Sequence, residues 1–284
     1  MNRSPITLSG VYLKLAWLNP VTWMALAGAL LYTLLATTDS IVALQSRGVS
    51  LQLIEIGLYV FNDSYLLTYG LLLTFTIMAS SLFDAPDTER LFAYRMPGRR
   101  DIWAARMLAL LGLSGTFLVA VGAVFLVAAL PHHTASFAWS DSYRQVLSLT
   151  SASPEGLDPV FYLAADKYLF ASTTPMRLLG IQGALFLLVF WAVGVLCTVV
   201  GQAVQRRSIA LAALLLYLFV YLGANQIGYP ALSVATPQGA LLVGAHTPQS
   251  DSHVSFAVSF ALWLCLLGAS TAIGHFQTRR AGLG

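Results

Sequence analysis

The chain has 284 residues, of which 57% are apolar and 10% are charged, and its mean hydropathy is +0.74. Because about a quarter of the residues of an average globular domain are charged, a soluble protein of this size could not bury so much apolar surface. The net charge of +3 is too small to indicate a nucleic-acid partner, so the lipid bilayer is the expected solvent. The composition excludes a soluble enzyme and predicts an all-α integral membrane protein.

The first predicted element is an amphipathic helix within residues 1–19. Apolar residues recur there at helical spacing, whereas Ser9 and Lys14 fall off the apolar stripe. This pattern is typical of a helix that lies in the membrane interface. Pro20 is then expected in the first turn of the next helix, where its missing N–H is tolerated. The predicted stripe consists of Leu8, Val11, Leu15 and Leu18.

Six long apolar runs follow, and each is predicted to be a transmembrane helix. Their lengths are near the roughly 20 residues needed to cross a hydrocarbon core of about 30 Å. Because the runs are continuous and do not alternate between polar and apolar residues, helices are expected rather than the strands of a barrel. The six predicted spans are residues 21–44, 64–83, 104–130, 177–204, 209–226 and 254–276.

The basic residues are distributed unevenly between the two sets of loops. With both termini placed in the cytoplasm, eleven basic residues lie inside and four lie outside. This bias predicts an N-in/C-in topology in the inner, or cytoplasmic, membrane. The inner residues are Arg3, Lys14, Arg90, Arg95, Arg99, Arg100, Arg106, Arg206, Arg207, Arg279 and Arg280, and the outer ones are Arg47, Arg144, Lys167 and Arg177.

Three outer loops connect the predicted spans. Residues 45–63 contain enough apolar side chains for a short surface helix. Residues 131–176 are expected to fold into a small cap, because so many unstructured residues are uncommon in a compact protein. Residues 227–253 carry three prolines among apolar residues and are expected to dip partway back into the membrane. None of these loops predicts a separate domain, so residues 1–284 form a single membrane domain.

The sequence lacks the residues that would supply energy for uphill transport. It contains no phosphate-binding G-x-x-x-x-G-K-[ST] loop. No Asp, Glu or Lys lies well inside the second to sixth predicted spans, although ion-driven carriers usually keep such a carboxylate. Any energy is therefore expected from another subunit. The polar side chains at depth are amides that could form interhelical hydrogen bonds or line a path: Gln182, Gln202, Asn225 and Gln226.

The inner segment between the second and third spans, residues 84–103, has the most distinctive pattern in the chain. Acidic residues come first, a short apolar run with Phe92 and Tyr94 comes next, and a Pro-Gly pair precedes two arginines. An amphipathic helix of this kind can offer aromatic side chains to a groove on a partner, while its charges fix the register. The alternative is that the arginines only set the topology and contact lipid headgroups.

This segment resembles the loop between spans two and three of the permease subunits of type-2 ABC transporters, a six-span class that includes many bacterial exporters. In that family an interfacial helix precedes span one. The loop then reads as acidic residues, a short coupling helix and an S-R-x-x-I-x-x-x-K entry into span three. The matching positions here are Asp87 and Glu89, then residues 91–95, then Arg99-Arg100-Asp101-Ile102 and Arg106.

The resemblance covers nearly the whole chain in topology and about twenty residues in motif. It departs from the family pattern at two places. Arg90-Leu91 replaces the usual Gly-Thr after the acidic residue, and the loop between spans three and four is longer than expected. The longer loop indicates a specialised outer cap.

The resemblance implies a transport subunit that is not itself an enzyme and binds no cofactor. ATP and Mg²⁺ would be bound by a separate ATP-binding subunit, and a second copy or a sister permease would complete the path. The implied docking residues are Asp87, Glu89, Leu91, Phe92, Tyr94, Arg95, Arg99 and Arg100, and the candidate path residues are Gln182, Asn225 and Gln226.

Two other classes of function remain open. A non-transporting membrane protein, such as an immunity or sensor protein, would bind a ligand with the outer cap and would need no ATPase. An intramembrane protease of the rhomboid type would pair Ser114, which lies in a Gly-Leu-Ser-Gly run, with His275. The expected depths of these two residues differ by about one helical turn, which argues against such a pair.

The histidines and cysteines predict no metal site. His132, His133, His246 and His253 all fall in outer loops, where no acidic or cysteine ligand recurs at matching spacing. Positions on a solvated surface are therefore expected for them. The cysteines, Cys197 and Cys265, lie in apolar runs and are expected to be small buried side chains.

Overall fold

The computed structural model describes residues 5–46, 48–84, 99–134, 136, 138–143, 173–204, 212, 215–217, 220, 235–246 and 255–280. Within these residues the regular structure is helical, with no strand. The longer helices are α1 (Pro5–Leu18), α2 (Pro20–Ser46), α5 (Arg99–Ala129), α6 (Pro175–Val204) and α8 (Phe256–Arg280). The shorter ones are α3 (Leu53–Val60), α4 (Leu66–Ser80) and α7 (Pro237–Leu241).

Four of these helices, α2, α5, α6 and α8, are long and apolar enough to cross a membrane. They coincide with the first, third, fourth and sixth predicted spans, so those four predictions are confirmed as helices. The chain is therefore a multi-pass membrane protein. The second predicted span corresponds to α4, which is shorter. The fifth predicted span, 209–226, falls mostly outside the described residues and stays a prediction.

Polar side chains and prolines determine where several helices begin. The Oδ1 atom of Asn19 accepts a hydrogen bond from the backbone N–H of Val21 at 3.0 Å, and Pro20 occupies the first position of α2. Thr236 Oγ1 accepts from Gly239 N at 3.2 Å at the start of α7. These side chains replace the carbonyl partners that the first N–H groups of a helix lack.

Helix α6 is the centre of the bundle. In the 18-residue apolar stretch of α6, 67% of the residues are buried. The corresponding fraction is 33% for α2 and α5 and 22% for α8. Phenylalanines from three helices meet on it: the ring centroid of Phe190 lies 4.9 Å from that of Phe75 in α4 and 5.5 Å from that of Phe117 in α5. These contacts make a continuous aromatic core along α4, α5 and α6.

The two ends of the bundle hold different elements. At one end, here named the Trp103 end, α1 packs on α5 and on the 3-10 turn Ser81–Asp84. Thr22 in the first turn of α2 also donates a hydrogen bond to Ser81 Oγ at 3.1 Å there. At the opposite end, here named the Glu55 end, α3 and α7 pack against α6.

The buried face of α1 differs from the predicted stripe. Leu8, Tyr12 and Ala16 are the buried residues of this helix, whereas Leu18 is 68% exposed. The predicted stripe included Leu8 but not Tyr12 or Ala16, because the spacing of apolar residues does not show which face of the helix meets α5. Whether α1 lies in a membrane interface stays a prediction.

Helix α3 also differs from the prediction of a short surface helix. Most of its residues are buried, and the carboxyl-bearing Glu55 is 1% exposed. The prediction was wrong because an apolar loop segment can be covered either by lipid or by protein, and composition does not distinguish the two.

Candidate functional site

The predicted docking segment lies largely outside the described residues, and this includes Asp87, Glu89, Leu91, Phe92, Tyr94 and Arg95. Arg99 and Arg100 form the start of α5. The docking assignment therefore stays a prediction. The structure does describe the first turns of α5, which begin within the last residues of the segment. Three side chains there contact three different helices.

The first of these residues is Trp103, which is 4% exposed and packs against the backbone of Gly274 in α8. A Cβ atom added at Gly274 would overlap the indole ring, with Cζ3 at 2.8 Å and two other ring atoms closer still. Only glycine leaves room for an indole at this point. The contact joins the start of α5 to the last turns of α8.

The second residue is Arg106, which is 8% exposed and lies under α1. Its guanidinium carbon lies 5.8 Å from the ring centroid of Tyr12, and its N–H donates to the phenolic oxygen. Burial raises the pKa of the Tyr12 phenol, while the positive charge of Arg106 acts in the opposite direction. A cation–π contact combined with a hydrogen bond fixes α1 on α5.

The third residue is Met107, which contacts both α6 and α8. Trp191 Nε1 donates to the backbone carbonyl of Met107 at 3.1 Å, and Thr271 Oγ1 lies 4.0 Å from its sulfur atom. Trp103, Arg106 and Met107 are named the α5 junction below. Since packed interiors transmit displacement with little compression, a movement of the start of α5 would displace α1, α6 and α8 together.

At the Glu55 end, the buried carboxylate of Glu55 binds the beginning of the long outer loop. Its Oε1 accepts from Ser140 N at 2.6 Å, and its Oε2 accepts from Ser140 Oγ at 2.7 Å and Gln52 N at 2.8 Å. A buried carboxylate needs such donors to offset the loss of water. Glu55 therefore pins the outer loop to α3.

The described ends of the same loop are joined to one another. Trp139 Nε1 donates to Thr173 O at 2.8 Å, and the Trp139 ring stacks on Tyr143 at a centroid distance of 4.3 Å. His133 Nδ1 lies 2.6 Å from Leu51 O. The two ends of the predicted cap are thus joined by hydrogen bonds and ring contacts. Residues 144–172 lie outside the described part of the chain.

The third outer loop folds back against the bundle within residues 235–246. Residues 236–243 are buried, and Asn62 holds them by accepting a hydrogen bond from Val243 N at 2.7 Å. Asn62 also donates to Leu58 O at 2.8 Å. How deep this segment lies in a bilayer stays a prediction.

His246 is buried rather than on a solvated surface, so that prediction was wrong. Its Nε2 lies 2.9 Å from Ala240 O, its Nδ1 lies 3.5 Å from Ser259 Oγ, and its ring lies 4.4 Å from that of Phe256. The imidazole closes the returning segment onto α8. His132 is exposed, as predicted, and His253 lies outside the described residues.

Gln182, the one candidate path residue in the described part of the chain, is 2% exposed. Its Nε2 makes long hydrogen bonds to Phe61 O at 3.3 Å and Leu241 O at 3.4 Å. Its Oε1 is buried and has no partner among the described residues. The amide therefore bridges α6 to the returning segment. Its role in a path stays a prediction, and Asn225 and Gln226 lie outside the described residues.

The protease pair is not assembled in the described residues. Ser114 Oγ donates to Leu110 O in its own helix at 2.9 Å. His275 directly follows Gly274, and Gly274 packs on Trp103. Trp103 lies eleven residues before Ser114 in α5. At 1.5 Å per residue this places the two side chains about 16 Å apart along α5. No group of three metal-binding side chains occurs in the described residues either. Cys197 is buried as expected, whereas Cys265 is exposed, so its predicted burial was wrong.

Several residues of both ends were not anticipated from the sequence. Tyr12 is one of several apolar and aromatic residues in its helix, and Trp103 stands between Asp101 and Arg106. Neither pattern distinguishes these residues from their neighbours. Glu55 is a lone charged residue within the apolar run 53–61, and that isolation is a signal that could have identified it as a buried partner. Asn62 stands beside Asp63 and Ser64 and carries no such signal.

No protein-family model matches this chain, and no curated protein matches it significantly.

Proposed function

We propose that this chain is the membrane-spanning permease subunit of an ATP-driven exporter of the type-2 ABC class, located in the inner membrane. A separate ATP-binding subunit would hold ATP and Mg²⁺ and would grip residues 84–100. A second copy or a sister permease would complete the path. The α5 junction is the observation that carries the proposal, because it connects that segment to α1, α6 and α8 at once.

The positions of the helix ends support the six-span topology. Helix α6 ends at the Trp103 end, where it packs on the Ser81–Asp84 turn, while residues 235–246 lie at the Glu55 end beside Asn62. The fifth predicted span, 209–226, would then connect these two ends of the bundle, and it would add a crossing to the four long helices and α4. Both α1 and the end of α8 then share one side.

The charges of that shared side support a cytoplasmic position. The Trp103 end carries Arg99, Arg100 and Arg106 at the start of α5, and Arg279 and Arg280 at the end of α8. Arginines near the ends of spans are retained on the cytoplasmic side. The predicted docking segment would then face the compartment that holds ATP.

In the proposed mechanism the chain receives displacement and does not itself hydrolyse a nucleotide. Closure of the ATP-binding subunits moves residues 84–98 and with them the start of α5. The displacement reaches α8 through the contact of Trp103 with Gly274. It reaches α1 through Arg106 and α6 through Met107. The spans tilt as a group, and access to the path changes from one side of the membrane to the other.

The test is capture of an ATPase from native membranes with a tagged chain. The change combines Arg99→Glu and Arg100→Glu with Phe92→Ala and Tyr94→Ala, and the control reverses Arg279 and Arg280 at the same end of the bundle. We expect the wild type and the control to capture a protein that photolabels with azido-ATP. The docking variant is expected to lose it, with membrane yield unchanged.

Two outcomes would count against the proposal. Full capture by the quadruple variant would refute the docking assignment. If the wild type captures no nucleotide-labelled protein, the alternative of a non-transporting sensor or immunity protein gains support. The hydrogen bonds of Glu55 with Ser140 and of Trp139 with Thr173 favour that alternative as second candidate. They fix the two described ends of the outer loop, which is the segment expected to bind a ligand.

A further inference from the structure

A groove between α2 and α4 near the Glu55 end is lined by tyrosines that remain accessible. It consists of Tyr32 on α2 and Tyr65 and Tyr69 at the start of α4, with Asp63 beside them, and is named the tyrosine groove. Tyr65 is 64% exposed and Tyr32 is 36% exposed. Tyr69 directly precedes Gly70, the residue on whose backbone the Tyr32 ring packs.

Two contacts hold the rings in place. A Cβ atom added at Gly70 would lie 2.8 Å from Cδ1 of Tyr32, so this ring packs directly on the glycine backbone. The rings of Tyr65 and Tyr69 stack with centroids 6.3 Å apart and planes at 16°. The groove therefore presents ordered aromatic faces and not freely rotating side chains.

The local backbone is unusual in the same place. Residues Leu66–Leu72 form a π-helix, and π-helical turns are rare and often accompany functional sites. The groove lies on this turn, which begins next to Tyr65 and contains Gly70. The extra residue in the turn sets the angular positions of Tyr65 and Tyr69 relative to the rest of α4.

Negative charge accompanies the rings. Asp63 is exposed, and its Oδ1 accepts from Tyr65 N at 2.7 Å and Leu66 N at 3.3 Å. Asp39 is also exposed and lies seven residues beyond Tyr32 on α2, which is about two turns along the same face. An exposed carboxylate on a membrane span is costly unless water or a cation reaches it.

We propose that the tyrosine groove binds a cationic amphipathic molecule, with its positive charge against the tyrosine faces and Asp63. Ring faces attract cations through the aromatic quadrupole, and nearby carboxylates add a complementary field. A neutral lipid tail would gain nothing from the carboxylates, and an anion would be repelled. This proposal goes beyond the proposed function and does not depend on an ATPase.

The test measures binding of tetraphenylphosphonium to the purified full chain in nanodiscs of zwitterionic lipid by equilibrium dialysis, with empty nanodiscs subtracted. We expect saturable binding of this cation, and much weaker binding of tetraphenylborate, which has the same shape and the opposite charge. Replacing Tyr65 or Tyr69 by Leu is expected to weaken cation binding between about two- and thirtyfold per ring. Replacing either by Phe keeps the ring face and is expected to keep most of the affinity.

Asp63→Asn removes the negative charge but keeps the helix cap, because Asn also caps a helix well. It therefore distinguishes an effect of the charge on binding from an effect on folding. We expect it to weaken cation binding while thermal stability is retained. Trp23→Leu is the matched control, since Trp23 is a 56% exposed aromatic residue at the opposite end of α2.

Three results would overturn the proposal. Equal binding of the two probes would show that hydrophobic shape alone is recognised. Unchanged binding after the Tyr→Leu substitutions would show that these rings belong only to an interfacial aromatic belt. Efficient crosslinking of two chains through Tyr65→Cys, in a background with Cys197 and Cys265 replaced by alanine, would show that a second copy covers the groove.

Discussion

At the scale of single residues, the contact between Trp103 and Gly274 illustrates how a small side chain determines the position of a large one. Trp103 is 4% exposed, and its indole ring occupies the place where any other residue at position 274 would carry a Cβ atom. The glycine has an ordinary position inside α8, so its role is close approach and not an unusual backbone angle. Small residues commonly serve this purpose between helices in lipid.

Substitution of Gly274 by alanine should therefore destabilise the protein. The added methyl group would displace the Trp103 ring, and overpacking of this kind costs about 1–3 kcal/mol. We expect a lower midpoint in a thermal unfolding experiment on the detergent-solubilised chain, followed by size-exclusion chromatography.

Gly268 on the same helix provides a matched control. A Cβ atom added there meets nothing within 4 Å, so Gly268→Ala should be neutral or should stabilise α8 by up to about 1 kcal/mol through helix propensity. A smaller side chain at 103, as in Trp103→Leu, should restore part of the stability lost in Gly274→Ala. Identical behaviour of the two alanine variants would contradict the described packing.

At the scale of elements, short segments at the Glu55 end are held by buried polar side chains in addition to their apolar contacts with the core. Helix α3 has eight residues, which is too few for stable helix formation in isolation. Its position depends on Glu55 below the outer loop and on Asn62, which binds the returning segment. Because these polar groups are buried, each of them must find its hydrogen-bond partner inside the protein.

Glu55→Gln should loosen the base of the outer cap. The amide replaces an acceptor by an NH₂ group that faces the N–H and O–H donors of Ser140 and Gln52, so at least one of those donors loses its partner. The expected loss is about 1–3 kcal/mol. Limited trypsin digestion should cut faster at Arg144 and Lys167, which lie in the outer loop.

Asp39→Asn is the control for this experiment, because Asp39 is an exposed carboxylate on a helix outside the cap base. It should leave the digestion rate unchanged. Cleavage of the Glu55→Gln variant at the wild-type rate would show that Glu55 does not hold the loop.

At the scale of the whole molecule, the two ends of the bundle differ in chemistry as a membrane protein with fixed orientation requires. The Trp103 end contains several arginines, and the Glu55 end contains loop segments that are buried and hydrogen-bonded. The aromatic core of Phe75, Phe117 and Phe190 lies between them. Since phenylalanine packs well in any apolar surrounding, this core supports the fold and does not report on orientation.

The predicted orientation can be checked with an impermeant maleimide on intact cells, in a background where Cys197 and Cys265 are replaced by alanine. A cysteine at His132, which is exposed at the Glu55 end, should be labelled from outside. A cysteine at Gly98 should be labelled only after the cells are permeabilised. Labelling of Gly98→Cys on intact cells would place the docking segment on the wrong side for a cytoplasmic ATPase.

Much of the helical architecture was predictable because it depends on composition along the chain. The runs 21–44, 104–130, 177–204 and 254–276 correspond to helices in the structure, since a continuous apolar stretch in lipid must satisfy its own backbone hydrogen bonds. The start of α2 was predicted from Asn19-Pro20, whereas the start of α7 at Thr236-Pro237 was not. The partners of Glu55 and His246 were not predictable, because they depend on which loop covers which helix end.

The amino-acid sequence by itself determined that this chain is helical and embedded in a membrane. Hydropathy and backbone satisfaction are properties of each segment in its solvent, so no neighbouring helix is needed to establish them. Tertiary structure decided that Arg106 lies under Tyr12, that Trp103 packs on Gly274, and that Tyr32 packs on Gly70 beside Tyr69. Those contacts bring together residues far apart in the chain, and only the packing of one helix on another sets the distances between them.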